Sequence, residues 1–321
     1  MKVALKNAGM IGAMVISWSI YYAVSKIMVG ATGSPFLAGC VLRCAALLFL
    51  TVQLLLDGNF RRLFHQGKAV LILVVIGVFG FLLDMFANLG YAHGSLSTGT
   101  ALLKTDVLMV NLVTVILYHK RLYLSDWVGT LVMLFGVLLV LGVDFGSMAL
   151  NITDLYFILS AMCVTANAFI IKTAQERFHE DADMISYYNN FVVLLLFGAS
   201  AALRGDLRLP DAGALRGFWW LVLLGGLGQT GIYFFYYRNL KHYEVWIVKL
   251  YLLLMPVVSC FIGVFFLGEE LTLKKTLGIL VVLLGAAVIL LRSRLHREEG
   301  MADEKLHRHH HYEHRLKPTH K

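Results

Sequence analysis

Residues 101–142 read ALLKTDVLMVNLVTVILYHKRLYLSDWVGTLVMLFGVLLVLG. Two long apolar runs flank a short basic turn, and each is close to the roughly 17–25 residues a helix needs to cross about 30 Å of hydrocarbon. Lys104 and Asp106 stand near the start of the first run, where ionisable side chains are expensive and so need a reason. The design returns 149 positions later in LLLMPVVSCFIGVFFLGEELTLKKTLGILVVLLGAAVILL, residues 252–291. In that register Leu122 meets Leu271, Leu124 meets Leu273, Gly129 meets Gly278 and Gly136 meets Gly285. A helix pair has been used twice, with unneutralised charge in one copy.

The rest of the chain has the same character. Of 321 residues, 59% are hydrophobic and 15% charged, against about 25% charged in ordinary soluble domains. The chain reads as an all-α polytopic membrane protein. Its first apolar run, from Ala8 to about Val29, lacks a cleavage pattern and is followed by many similar runs, so it reads as a mature helix. The four cysteines have no CxxC spacing and read as small buried hydrophobes. The net charge of +8 lies in loops and tail, which points to membrane topology and not to a nucleic-acid partner.

Apolar runs predict ten transmembrane helices: about 8–29, 35–56, 69–92, 98–118 and 124–142, then 153–175, 184–203, 217–240, 245–267 and 273–292. The natural units are a first five-helix repeat over 1–143, a second over 144–292, and a disordered, His-rich basic tail over 293–321. An odd number of helices per repeat starts the second copy on the opposite side of the membrane, so the two are inverted. Inverted repeats are common in alternating-access transporters, which bind substrate near the midplane between the repeats. Lys2, Lys6, Arg61, Arg62, Lys68, Lys120 and Arg121 fall on one side in the first half, against Lys26 on the other. That bias predicts a multi-pass protein of the cytoplasmic membrane with both termini cytoplasmic.

The ten-helix double repeat, FLAGCVLR (36–43) with its helix 2 arginine, and MPVVSCFIGVFFLGEELTL (255–273) together carry a resemblance to the EamA-type transporters of the drug/metabolite superfamily. The resemblance covers all ten helices and not the tail. It implies the fold described above and movement of small organic metabolites, coupled in some members to protons or to exchange. The first repeat departs from the family pattern, since Val107 aligns with Pro256 and Lys120 with Glu269.

Several buried polar residues are candidates for substrate binding or coupling. Lys104 either snorkels to the surface or lines the pore. Lys249 aligns with Thr100, one turn before Lys104 on the same face, so the two lysines predict a cavity suited to a carboxylate, a phosphate or a zwitterion. Asp106 faces away from Lys104 and gains no partner from the repeat register. Asp84, central in helix 3, heads a polar stripe with Asn88 and Tyr91. It reads equally as a proton-coupling acid or substrate contact and as a buried ion pair with Arg43 or Lys104. Trp18 with Tyr22, and Tyr233 with Tyr237, are i,i+4 aromatic pairs that would suit a quaternary ammonium ligand.

No nucleotide-binding, zinc-protease or hydrolase signature stands in a proper setting. The expectation is a secondary active transporter and not an enzyme, moving a small charged or zwitterionic organic metabolite by alternating access. An amine transporter, a membrane-embedded enzyme and a scaffold are the alternatives. No cofactor or metal is expected, proton or counter-substrate coupling is open, and the expected partners are the metabolite and the lipid bilayer. Oligomeric state is not set by the sequence.

Overall fold

A computed structural model describes residues 2–65, 67–93, 102–119, 124–140, 152–207 and 212–255, with short pieces from 257 to 285. The described helices are α1 (Lys2–Thr32), α2 (Pro35–Leu56), α3 (Val70–His93), α4 (Asp106–Ile116) and α5 (Leu124–Val140). They continue as α6 (Ile152–Arg177), α7 (Ala182–Arg204), α8 (Ala212–His242) and α9 (Val245–Tyr251), with α10 over Thr276–Gly285. Among the described residues, six helices are long and apolar enough to cross a membrane. The chain is an all-α polytopic membrane protein. The tail from 293 on, Pro256, Lys120 and Glu269 lie outside the described residues.

Local chemistry sets the helix ends. Ser34 caps α2 by accepting the Leu37 N–H at 3.2 Å, with Pro35 next in line where its missing N–H costs nothing. Gly205 ends α7 in the left-handed region at φ 72°, a conformation that an L side chain resists. The polar loop after α2 is tighter than its composition suggests: Phe60–His65 and Gly67–Ala69 form 3₁₀ turns, and Leu63 is buried against Leu54 and Met184.

The tightest helix packing joins the two halves of the chain: α3 on α6, α1 on α8, α2 on α7, α3 on α7 and α2 on α8. These contacts come in pairs under the 149-residue offset, since α1 against α8 is the counterpart of α6 against α3. Small residues make the close approach feasible in a bilayer, where apolar association gains nothing from water. At Gly136 an added Cβ would meet Val282 and the Gly278 carbonyl, and at Gly285 it would meet Met133 and the Gly129 carbonyl. Every partner here lies 149 positions from its counterpart, a reciprocity typical of two-fold contacts.

Two corrections to the sequence reading follow. The fourth helix is not uniform: from Leu102 to Val107 it tightens into i→i+3 bonding, with Thr105 N to Leu102 O at 3.1 Å and Val107 N to Lys104 O at 3.3 Å. The Thr105 hydroxyl donates to the same Leu102 carbonyl at 2.6 Å, competing with the backbone ladder. Its counterpart is the 3₁₀ turn Leu252–Leu254 that follows α9. Cysteine burial also differs, because Cys44 is exposed and Cys40 and Cys163 are half-buried. Small side chains on a lipid-facing surface carry no penalty, and Cys260 lies outside the described residues.

At one end of the bundle Asp181 pairs with Arg62 at 3.2 Å and Lys241 at 3.8 Å, while Asp183 pairs with Arg238 at 3.2 Å. Arg62 and Asp181 are 60% and 49% exposed, so solvent screens their attraction. Arg62→Ala is expected to change stability by less than about 1 kcal/mol, an effect that shrinks further when melting is repeated at high salt.

Candidate functional site

The centre of the bundle holds two buried ion pairs from different helices. In the first, the Arg43 guanidinium of α2 donates to Asp84 of α3, to the Tyr233 hydroxyl of α8 and, at 3.4 Å, to Asn190 Oδ1 of α7. Tyr21 of α1 donates to the same Asp84 oxygen at 3.0 Å. The Tyr21 and Tyr233 rings lie 5.8 and 5.6 Å from the guanidinium carbon, within cation–π range. Five helices thus converge on one carboxylate–guanidinium pair that is 97% buried. Of the two sequence readings of Asp84 the structure contains the ion pair, and its partner is Arg43, not Lys104.

Glycines bring these groups together. An added Cβ at Gly80, one turn before Asp84, would collide with the Asn189 amide, and one at Gly77 would collide with Val192. Removing those two side chains lets α3 lie against α7. On its other side Asn189 donates its amide N–H to Tyr237 of α8.

Beside the pair is a cavity of about 40 Å³, lined by Trp18, Tyr21, Arg43, Asp84, Asn167, Asn189, Gln229, Tyr233, Tyr236 and Tyr237 among others. That volume suits water-sized molecules and is far below the roughly 300 Å³ of an organic ligand site. Four pairs of its lining residues stand 149 positions apart: Trp18 and Asn167, Gly80 and Gln229, Leu83 and Ile232, Asp84 and Tyr233. Five lining residues also carry a buried polar atom without a partner: Trp18 Nε1, Arg43 Nε, Asn167 Oδ1, Asn189 Oδ1 and Gln229 Oε1. Indole and guanidinium nitrogens only donate, whereas amides present either end. The cavity is therefore equipped for a ligand with at least one oxygen acceptor.

The second pair joins Lys249 of α9 to Asp106 at 2.9 Å, with side chains 1% and 5% exposed. This gives Asp106 the partner that the sequence reading left open, and it puts Lys249 in an ion pair where the sequence reading had it lining a cavity with Lys104. The repeat register compares equivalent positions within each half, whereas this contact runs between non-equivalent positions of the two halves. Lys249 Nζ also lies 5.4 Å from the Tyr236 ring. Lys104 is buried at 5% exposure, and its side chain makes no hydrogen bond or ion pair among the described residues. None of the three lines the cavity.

The remaining candidates divide. Trp18, Tyr233 and Tyr237 line the cavity, while Tyr22 packs between Trp18 and Tyr91 at 5.3 and 6.2 Å. Asn88 accepts from Ser25 at 2.9 Å and donates to the Pro35 carbonyl at 3.2 Å, tying three helices together away from the cavity. Tyr91 packs on Phe157 at 5.2 Å. Sequence reading missed Tyr21, Tyr236 and the amides Asn167, Asn189, Asn190 and Gln229. The available signal was a set of uncharged amides within apolar helices, such as YYNNF and GGLGQTG.

The sequence profile of the EamA-like transporter family matches residues 7–142 and 151–291. The chain belongs to the EamA-like transporter family. This EamA-like protein is 26% identical over 222 residues to a protein of Archaeoglobus fulgidus described as an uncharacterized transporter, covering 67% of this chain and 75% of that one. It also shares its fold with a protein of known crystal structure, at 18% identity, with a TM-score of 0.68 over 88% of this chain and 98% of the other. Members of the family are transporters and not enzymes. The chain is a membrane transporter of small molecules, built in the drug/metabolite superfamily manner.

Proposed function

We propose that this EamA-like transporter is a secondary active carrier that moves a small charged or zwitterionic organic metabolite by alternating access. The observation that carries the reading is the cavity beside Arg43 and Asp84, half of whose lining residues pair across the 149-residue offset and which five unpartnered polar atoms line. On this reading residues 1–143 and 144–292 are inverted five-helix repeats, ten membrane crossings in all, and the cavity sits where the repeats meet. The matched tightening at Leu102–Val107 and Leu252–Leu254 supplies hinges of the kind a mid-helix 3₁₀ stretch often marks. On this reading the protein sits in the cytoplasmic membrane with both termini cytoplasmic, an orientation that the positive charge bias of the first half supports.

The cavity favours a zwitterion on charge grounds. Arg43 and Asp84 cancel, so a ligand that brings one carboxylate and one ammonium can enter between them without leaving net charge in the membrane interior. Arg43 Nε and Trp18 Nε1 are positioned for the carboxylate, and Asp84 with rotatable amides for the ammonium. Trp18, Tyr21, Tyr233, Tyr236 and Tyr237 offer apolar walls. Those rings also favour a second reading, an amine or quaternary ammonium ligand, against which the guanidinium at the centre counts. Lys104, Asp106 and Lys249 serve transport from behind Tyr236.

Counterflow in proteoliposomes tests the proposal, using labelled zwitterionic amino acids, dicarboxylates, simple amines and choline in turn. Zwitterionic amino acids are expected to exchange and Trp18→Ala to slow that exchange at least about ten-fold, the scale of one lost anchoring contact. Exchange of choline and amines alone would hand the assignment to the second reading.

A further inference from the structure

We propose that Lys104 is the proton-carrying residue of this transporter, housed apart from the substrate cavity and reached along the inner face of α4. The inference rests on the carrier reading above and adds a coupling site to it.

The buried charges differ in one respect. Arg43 and Asp84 satisfy each other, and a guanidinium keeps its proton in proteins. Asp106 and Lys249 are likewise joined, through Asp106 Oδ2 at 2.9 Å. Lys104 is 95% buried and has no such bond, while Asp106 Oδ1, two residues on, is buried and without a partner. The group of Lys104, Asp106 and Lys249 therefore carries a net charge of +1 with Lys104 protonated and zero with Lys104 neutral. Charge left uncompensated in a membrane interior is costly, so the two protonation states prefer different surroundings. That preference is what a coupling residue needs in order to bias a two-state carrier.

A row of buried polar atoms also leads away from Lys104. Asn111 shares the face of Lys104 at i,i+7, and Thr114 follows three residues later. Asn111 Oδ1 and Thr114 Oγ1 are both buried and unpartnered, and Asn111 Nδ2 reaches Thr130 of α5 at 3.4 Å. From Lys104 to Thr114 this row extends roughly 15 Å at ~1.5 Å per residue, toward the turn at 117–119. Its free atoms are oxygens, which suit a chain of water molecules and hydroxyls passing a proton and would repel an anion. The titratable groups facing Lys104 are Asp106 on its own helix and Lys249 on α9; behind them Tyr236 of α8 and Tyr22 of α1 face Asp106. α5 and α6 present the neutral hydroxyls of Thr130 and Thr165 to this stretch.

Tyr236 links the two sites, since it lines the substrate cavity and lies against Lys249. A ligand pressing on Tyr236 bears on the Lys249–Asp106 bond, and a protonated Lys104 competes with Lys249 for the same carboxylate. The step itself is a proton transfer: the Lys104 ammonium gives one proton to the water row and becomes an amine, and regains one from the opposite side after the carrier turns.

The test uses purified full-length protein in proteoliposomes and two assays with the same labelled zwitterionic amino acids, counterflow without a pH gradient and accumulation driven by one. Wild type is expected to perform both. Lys104→Met is expected to keep counterflow within about three-fold and lose the response to the gradient. Lys104→Arg, which preserves charge and bulk in case the Met variant misfolds, is expected to behave the same way because its proton is fixed. Gradient-driven accumulation that survives in either variant overturns the proposal, and so does loss of counterflow together with accumulation in a folded variant, which would make Lys104 a substrate contact. A wild type that performs counterflow but does not accumulate substrate under the gradient overturns the coupling assignment and leaves the carrier reading standing. A wild type that exchanges none of the probes overturns both.

Discussion

Arg43→Met is expected to destabilise the transporter by about 3–5 kcal/mol and to abolish exchange. The size follows from what is left behind: Asp84 would be a carboxylate buried at 2% exposure, holding one hydrogen bond, from Tyr21. Breaking one side of a buried pair costs that much because the other charge stays unpaired in low dielectric, whereas removing both partners is often close to neutral. The double variant Arg43→Met with Asp84→Leu should therefore melt nearer to wild type than either single variant, while its exchange stays absent. Melting temperature in detergent and counterflow in liposomes separate the two effects. If Asp84→Asn and Arg43→Met each melted and exchanged like wild type, the pair would have neither role.

Gly226→Ala should be nearly as damaging, for a steric reason. A Cβ there would stand 2.7 Å from Ala45 Cβ and 3.0 Å from the Ala45 carbonyl carbon. No rotamer change relieves a clash with a methyl and a main chain, so α2 and α8 must separate. Overpacking of this kind costs about 1–3 kcal/mol, and here it also draws Arg43 of α2 away from Tyr233 of α8. Gly77→Ala, the counterpart 149 positions earlier, drives a methyl into Val192 and should cost a similar amount. Gly198→Ala is the control: its Cβ would have one neighbour, Cys40 Sγ at 3.9 Å, and the gain in helix propensity of about 1 kcal/mol should show as equal or better stability. The idea fails if all three variants melt alike.

Much of this architecture was legible in the chain because hydrophobic length is a direct readout of the bilayer. α3 at Val70–His93 and α7 at Ala182–Arg204 lie within two residues of the apolar runs that predicted them. α1 and α8 run longer than expected, since backbone hydrogen bonding has no reason to stop where hydrocarbon does. Residue pairing was harder. Arg43, Asp84, Lys104, Asp106 and Lys249 all stood out as charges in apolar surroundings, yet a periodicity assigns faces within a helix and does not say which helix lies opposite. Hence Lys249 was read with Lys104 as two cations lining one cavity, while the fold pairs it with Asp106 away from the cavity lining. The amides went unread for another reason: a single Asn or Gln is tolerable in many membrane helices, so its burial is not conspicuous until three of them face one cavity.

The unlike pairs that wall the cavity carry a consequence for how such a machine can be built. Two separate copies of one five-helix chain would set identical residues at positions 84 and 233, giving two opposed carboxylates or none, and likewise two indoles or two amides at 18 and 167. On the proposed two-repeat reading, joining the copies in one polypeptide released each half from the other's identity. The resulting chamber is lined by unlike groups: aspartate and indole from the first half of the chain, phenol and amide from the second. A molecule that itself lacks symmetry, with unlike ends, can be gripped the same way up throughout the journey, whichever side of the membrane the chamber happens to face.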